Sequence, residues 1–278
     1  NYGGLKVVSE TTIMGHPRGL VILFLTEMWE RFSYYGMRGL LVIYLTQHFL
    51  FSDEKSTVLY GAYTSLVYVM TIIGGALADR YLGARKAVTF GAILLVIGHF
   101  GMSFEGNGSK QILTLDGVQY EIVLDARGGD ARQQIVSDDG VSYINFSASD
   151  MLIENPESVG LPETISRDSY TMSVVTEEVY LNILYLSLAF IIAGVGFLKA
   201  NISTIVGSLY GFGDKRRDSG FTIFYMGINL GAFLASIFCG YLGIVHGWKY
   251  GFGLAGIGMF IGLAIFLSFQ HWLDGKAE

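Results

Sequence analysis

Cysteine, proline and charge are all scarce in this chain of 278 residues, and each scarcity excludes something. There is one cysteine, Cys239, and there are three prolines. A lone cysteine cannot close an intrachain disulfide, and no cysteine or histidine pair has metal-ligand spacing, so no metal site is expected. Charged residues make up only 15% and form no basic run, so nucleic-acid binding has no electrostatic footprint. No nucleophilic triad, phosphate-cradling glycine loop or metal cluster marks an enzyme. The 37 glycines are instead spread through apolar stretches. What is abundant is hydrophobic: 51% of residues, with a mean hydropathy of +0.46. That composition reads as a multi-span membrane protein in which small residues let helices approach closely.

Six runs exceed the roughly 20 residues needed to cross the hydrocarbon of a bilayer. They are Gly19 to Phe49, Thr57 to Tyr81, Ala84 to Phe104, Tyr180 to Tyr210, Ser219 to His246 and Trp248 to Trp272. Pro17 stands just before the first, where its missing N–H costs nothing. That first run is too long for a cleavable signal peptide and is followed by more spans, so it is expected to stay. The chain opens at Asn1 rather than at methionine, and a short N-terminal piece is expected to be missing or processed. Arg80, Arg85 and Lys86 in one connection and Lys215, Arg216 and Arg217 in another fall on one side, with Lys6, Arg18 and Lys276. By the positive-inside rule both termini are cytoplasmic.

The net charge of −6 hides a division. Ser103 to Glu178 holds 14 acidic and 4 basic residues, a net of −10, while the remainder nets +4. The expected organisation is helices one to three in residues 1–104, an extracytoplasmic β-rich insert in residues 105–179, and helices four to six in residues 180–278. Within the insert, Gln111 to Leu115 and Val118 to Leu124 flank Asp116-Gly117, the pattern of a two-residue hairpin. Asp139-Gly140 before Val141 to Phe146 suggests another. Ala126 to Ser137 reads as partly disordered, and Pro156 and Pro162 as a looser return to the fourth span. Asn107-Gly-Ser and Asn145-Phe-Ser match the glycosylation sequon, which matters only in a eukaryotic secretory pathway.

Inside the first run, Thr26 to Arg38 sets four ionisable groups in otherwise apolar sequence. At about 100° per residue, Glu27, Glu30, Arg31, Tyr34 and Arg38 share one helical face, with Tyr35 at its edge. Leu23, Leu25, Met28, Trp29 and Phe32 form the opposite face. One charge at the bilayer centre costs roughly 2.5–3.5 kcal/mol on the lenient insertion scale, so a cluster must be paired, hydrated or turned to a bundle interior. Glu27 and Arg31 are one turn apart, which allows pairing within the helix.

Glu27-x-x-Glu30-Arg31-Phe32-x-Tyr34-Tyr35 resembles the first-helix signature of the proton-dependent oligopeptide transporters, a branch of the major facilitator superfamily. His16-Pro17-Arg18-Gly19 and Gly36-Met37-Arg38 agree on either side. Asp79-Arg80-Tyr-Leu-Gly83-Ala-Arg85-Lys86 resembles the superfamily's loop between helices two and three. Gly196-Phe-Leu-Lys199-Ala-Asn201 resembles its fourth-helix lysine motif, with Ala200 where many relatives have proline. Phe224-Tyr225-Met-Gly-Ile-Asn229-Leu-Gly231 resembles the fifth-helix signature, and Tyr68 stands where the family has a pocket tyrosine. The resemblance implies an all-α membrane protein: the N-terminal six-helix bundle of the superfamily, with a β-rich insert between helices three and four. It implies no cofactor beyond protons as coupling ions, a di- or tripeptide substrate, and a plasma (bacterial inner) membrane setting. A second six-helix bundle, absent from this chain, should complete the pocket. Six helices alone are expected to leave the charged stripe facing lipid or water.

The resemblance assigns proton coupling to Glu27, Glu30, Arg31 and Lys199, where the bland alternative is a static salt bridge. Arg38 and Lys199 become contacts for the peptide carboxylate, against snorkelling to the interface. Tyr34, Tyr35, Tyr68 and Asn229 become pocket groups, against ordinary packing. Asp79, Arg80, Arg85 and Lys86 become a conformational latch, against simple topology signals. Of the scattered histidines His16, His48, His99, His246 and His271, only His99 falls mid-helix, where it reads as a satisfied core residue. Two rival functions remain: the same fold carrying nitrate, a peptidomimetic or another small solute, and a membrane-anchored binding protein acting through its insert.

Overall fold

The computed structural model describes residues 12–125, 132–273 and 275–276. Lys6 and the Ala126–Ala131 part of the stretch read as disordered lie outside the described residues. A two-stranded turn, β1 (Thr12–Ile13) with β2 (His16–Pro17), leads into α1 (Gly19–Gln47). Then come α2 (Asp53–Leu77), α3 (Ala84–Gly101), α4 (Glu178–Ser208), α5 (Arg217–Tyr241) and α6 (Trp248–Phe269). In chain order seven further strands follow α3 and precede α4. The chain divides into two compact units, parting between Glu105 and Gly106 and again between Leu181 and Asn182, with Leu45–Ser52 belonging to the second.

Among the described residues, five helices are long and apolar enough to cross a membrane: Asp53–Leu82, Ala84–Gly101, Glu178–Ser208, Arg217–His246 and Trp248–Leu273. α1, the first of the six runs, is not among these five. Its 29 residues give it spanning length, about 43 Å at 1.5 Å per residue, but its four ionisable groups keep it from being plainly apolar.

Two helix-to-helix reversals share one device. α2 continues into a π-helical turn, Ala78–Leu82, and α5 into another, Leu242–His246. Each turn ends on a glycine with positive φ, Gly83 at 76° and Gly247 at 120°, and the next helix starts at the following residue. Only glycine takes such φ without strain, so one residue suffices to reverse the chain. Elsewhere glycine lets backbones touch. A methyl placed on Gly196 of α4 would sit 2.6 Å from the Met70 carbonyl oxygen of α2, and one on Gly91 of α3 would sit 2.6 Å from the Gly194 carbonyl oxygen of α4. The apolar face of α1 packs on protein: Gly231 of α5 lies against the Met28 carbonyl, and Gly258 of α6 against the Phe32 ring. The buried Ser33 hydroxyl donates to the Ala255 carbonyl at 2.6 Å, pinning α1 to α6.

The connection between α4 and α5 is tied to the segment before α1. Arg216 donates to the Gly15 carbonyl at 2.9 Å and to Asp214, and His16 meets the Tyr210 hydroxyl at 2.8 Å. The Arg216 side chain and backbone N–H, both donating to Asp214, hold that carboxyl down to about 2.

The second unit is an antiparallel sheet. Its strands are β3 (Lys110–Leu115), β4 (Val118–Asp125), β5 (Arg132–Val136), β6 (Val141–Phe146), β7 (Asp150–Ile153), β8 (Thr164–Ser166) and β9 (Tyr170–Val175), in the order β8-β7-β6-β5-β4-β3-β9. Leu113, Leu115, Ile122, Ile135, Ile144, Met151, Ile153, Ile165 and Tyr170 form one core. Asp116 and Gly117 both have positive φ and join Leu115 to Val118, so the expected two-residue hairpin is present. Two readings need correction. Arg132–Val136, inside the stretch taken as partly disordered, is strand β5, paired Gln133↔Ile144 through Val136↔Val141. The return after Pro156 and Pro162 is not loose, because β8 pairs with β7 and β9 closes the other edge against β3.

Candidate functional site

The charged stripe of α1 is inside the helical unit. Glu27, Glu30 and Arg31 expose 2%, 0% and 3% of their surfaces. This overturns the expectation that six helices alone would leave it facing lipid or water. The reason is that α2 and α4 cover the face that a single-helix projection leaves open.

Arg31 Nε lies 3.1 Å from Glu27 and also in contact with Glu30, an ion pair to each. It points at neither with the alignment of a full hydrogen bond. Glu27 Oε2, Glu30 Oε1 and Arg31 Nη2 are buried and meet no hydrogen-bond partner among the described residues. The arrangement is therefore paired but unsaturated. Arg31 also lies 5.2 Å from the centre of the Tyr34 ring, which is itself buried and edge-on to Tyr35.

Lys199 of α4 is within electrostatic reach of Glu27, Glu30 and Arg31, and its Nζ lies 5.3 Å from the Tyr68 ring of α2. Four charges from two helices, two of each sign, thus share one region. Tyr68 is 61% exposed, so the region runs from a closed charged interior to an open aromatic edge. Arg38, two turns along α1 from Arg31, donates to the Tyr60 hydroxyl and lies 5.5 Å from that ring.

Asn229 of α5 does not join this group: it is exposed and donates to the Tyr225 carbonyl of its own helix at 3.2 Å. Asp79 and Arg80 occupy the exposed π-helical turn, and Asp79 makes no ion pair among the described residues. Arg80 stacks on Tyr81, while Arg85 and Lys86 lie in the first turn of α3. His99 is buried as expected but not satisfied: neither ring nitrogen meets a partner among the described residues. Helix-interior carbonyls around it are already used by the backbone ladder.

Sequence reasoning missed Tyr60 and Tyr63. Tyr63 is almost wholly buried and within electrostatic reach of Glu30, Arg31, Tyr34 and Arg38. The available signal was the row Tyr60, Tyr63, Val67 on one face of α2, which aromatic spacing alone does not separate from packing.

No metal cluster is present among the described residues. What the geometry can do is exchange pairing partners: a change on either buried carboxylate is felt by Arg31, which contacts both, and by half-buried Lys199 within electrostatic reach.

The comparisons place the chain among known proteins. Residues 85–276 match the family model described as the POT family. An uncharacterized transporter of Bacillus subtilis (strain 168), YclF, is 35% identical over 267 residues, covering 94% of this chain and 39% of the relative. A di-/tripeptide transporter of Lactococcus lactis subsp. lactis (strain IL1403) is 32% identical over 271 residues, covering 95% and 39%. The crystal structure of a peptide transporter POT in complex with sulfate superposes with a TM-score of 0.68 at 33% identity, over 96% of this chain and 41% of that one. The chain thus spans about two fifths of the length of the proteins it matches. Its helical unit carries the transporter fold of that structure, and the chain belongs to the POT family.

Proposed function

We propose that this chain forms the N-terminal bundle of a proton-coupled symporter for di- and tripeptides. The observation that carries the reading is Arg31 held between Glu27 and Glu30 in a buried position, with Lys199 in range. With all four ionised, the charges cancel. One added proton on either carboxylate leaves an excess positive charge, which favours a bound carboxylate at Lys199 or Arg38; loss of that proton reverses the preference. Glu27, Glu30, Arg31 and Lys199 are the coupling group. Arg38 and Lys199 receive the peptide carboxylate, and Tyr34, Tyr35, Tyr68 and Asn229 line the path, with Tyr60 and Tyr63 orienting Arg38 and the coupling group. Asp79, Arg80, Arg85 and Lys86 act as the latch that opens and closes one end.

A second six-helix bundle supplies the opposite wall, and the two rock about the pocket in alternating access. The protein works in the bacterial inner membrane, with cytoplasmic termini and the sheet unit, inserted between the third and fourth spans, on the outer side. The proton gradient and membrane potential drive uptake. The test is uptake by the complete transporter in proteoliposomes. An imposed inward proton gradient should accumulate a labelled dipeptide, and unlabelled tripeptide should compete while nitrate does not. Accumulation of nitrate, or dipeptide uptake indifferent to the gradient, would overturn the reading.

A further inference from the structure

Away from the charge cluster, a groove of about 590 Å³ opens where α3 begins and α6 ends. Its rim is polar: Arg85 and Lys86 from the first turn of α3, Gln270 and His271 from the turn after α6. Its floor is apolar: Phe90, Ile93 and Leu267, each more than 40% exposed. Among the described residues that line it there is no carboxylate.

The two chemistries are ordered along the helix axis. From Lys86 to Ile93 is about 10 Å at 1.5 Å per residue, so cations give way to apolar surface over the depth at which a phospholipid changes from headgroup to acyl chain. Two tryptophans fix the level. Trp248 starts α6 and Trp272 lies just past its end, about 36 Å apart along a helix, enough to span ~30 Å of hydrocarbon and set each ring at a headgroup layer. Arg18 stacks 5.8 Å from the Trp272 ring at the same end. The rim therefore sits at headgroup depth and the floor below it.

We propose that this groove binds an anionic phospholipid, with Arg85 and Lys86 holding the headgroup phosphate and Phe90, Ile93 and Leu267 seating an acyl chain. The peptide N–H groups exposed at the start of α3 add to the positive field. A free phosphate would use the rim and leave the floor bare; the floor is what selects a lipid. The site is independent of what the transporter carries, and its test does not read transport.

The complete transporter in mild detergent, titrated with phosphatidylglycerol or phosphatidylcholine and followed by native mass spectrometry, decides it. Phosphatidylglycerol should be retained preferentially, and millimolar inorganic phosphate should not displace it. Arg85→Gln with Lys86→Gln should weaken retention roughly thirtyfold, about fivefold for each near-surface cation. The charge-preserving pair Arg85→Lys with Lys86→Arg should keep it. Equal retention of both lipids, displacement by phosphate, or unchanged retention in the glutamine variant would overturn the proposal. If that variant fails to fold, phosphatidylglycerol with a diazirine in its acyl chain, applied to the unsubstituted protein, should label Phe90, Ile93 or Leu267; labelling confined to other helices would refute the site.

Discussion

Arg31 is the residue on which the buried cluster depends. One guanidinium contacts two carboxylates on its own helix, and the second cation arrives from α4. Each buried ion gives up several kcal/mol of hydration, which its partners must offset. Removing Arg31 leaves Glu27 and Glu30 facing each other with Lys199 the one remaining cation in range among the described residues. Arg31→Leu is therefore expected to destabilise the protein by about 3–5 kcal/mol, and adding Glu30→Gln to recover much of that loss. Thermal unfolding of the purified variants in detergent checks both; additive losses would show that the three side chains are not one unit. Tyr60 and Tyr63 show why a sequence reveals this site only in part. The stripe on α1 was legible because its members lie within three turns of one helix, where a 100° projection suffices. Its burial was not, because the groups that cover it come from α2 and α4, brought in by packing that no local pattern encodes.

At the scale of elements, glycine sets how near the helices stand. Gly196 and Gly74 put the α2 and α4 backbones in contact, and that contact brings Lys199 over Tyr68 and within reach of α1. Gly196→Val forces a branched side chain into the Met70 carbonyl and should cost about 1–3 kcal/mol while moving Lys199 away from the cluster. Gly39→Ala, where nothing lies within 4 Å, should instead be neutral or stabilising by up to about 1 kcal/mol. Unfolding midpoints of the two variants test the contrast, and equal effects would contradict it. The strands divide in the same way as the site. β3 and β4 could be read from alternation about Asp116-Gly117, since the turn is local. β5 and β8 could not: Arg-Gln-Gln-Ile-Val and Thr-Ile-Ser become strands because neighbours pair with them. The loop tie at Asp214 has a defined pH range. Its carboxyl is held at about 2, below the usual value near 4, so the tie is complete above pH ~4 and is lost only as pH falls through about 2. It does not titrate near neutral pH.

At the scale of the molecule, two units with different chemistry share one chain: an acidic sheet with its own core and a helical unit that buries three charges with a half-buried fourth beside them. The sheet's outermost register, Lys110↔Val175, pairs its first and last strands, so its ends emerge about 5 Å apart. Residues 108–177 can therefore be replaced by a short linker, and the variant is expected to retain proton-driven uptake. Normal membrane insertion with no uptake would instead support a protein that works through its sheet. The central claim is that the buried cluster couples proton and cargo, and it is tested most directly by separating driven accumulation from exchange. In proteoliposomes carrying the complete transporter, Glu27→Gln and Glu30→Gln should each abolish dipeptide accumulation driven by a proton gradient while preserving exchange of labelled for unlabelled dipeptide. Undiminished gradient-driven accumulation in both variants would contradict the account.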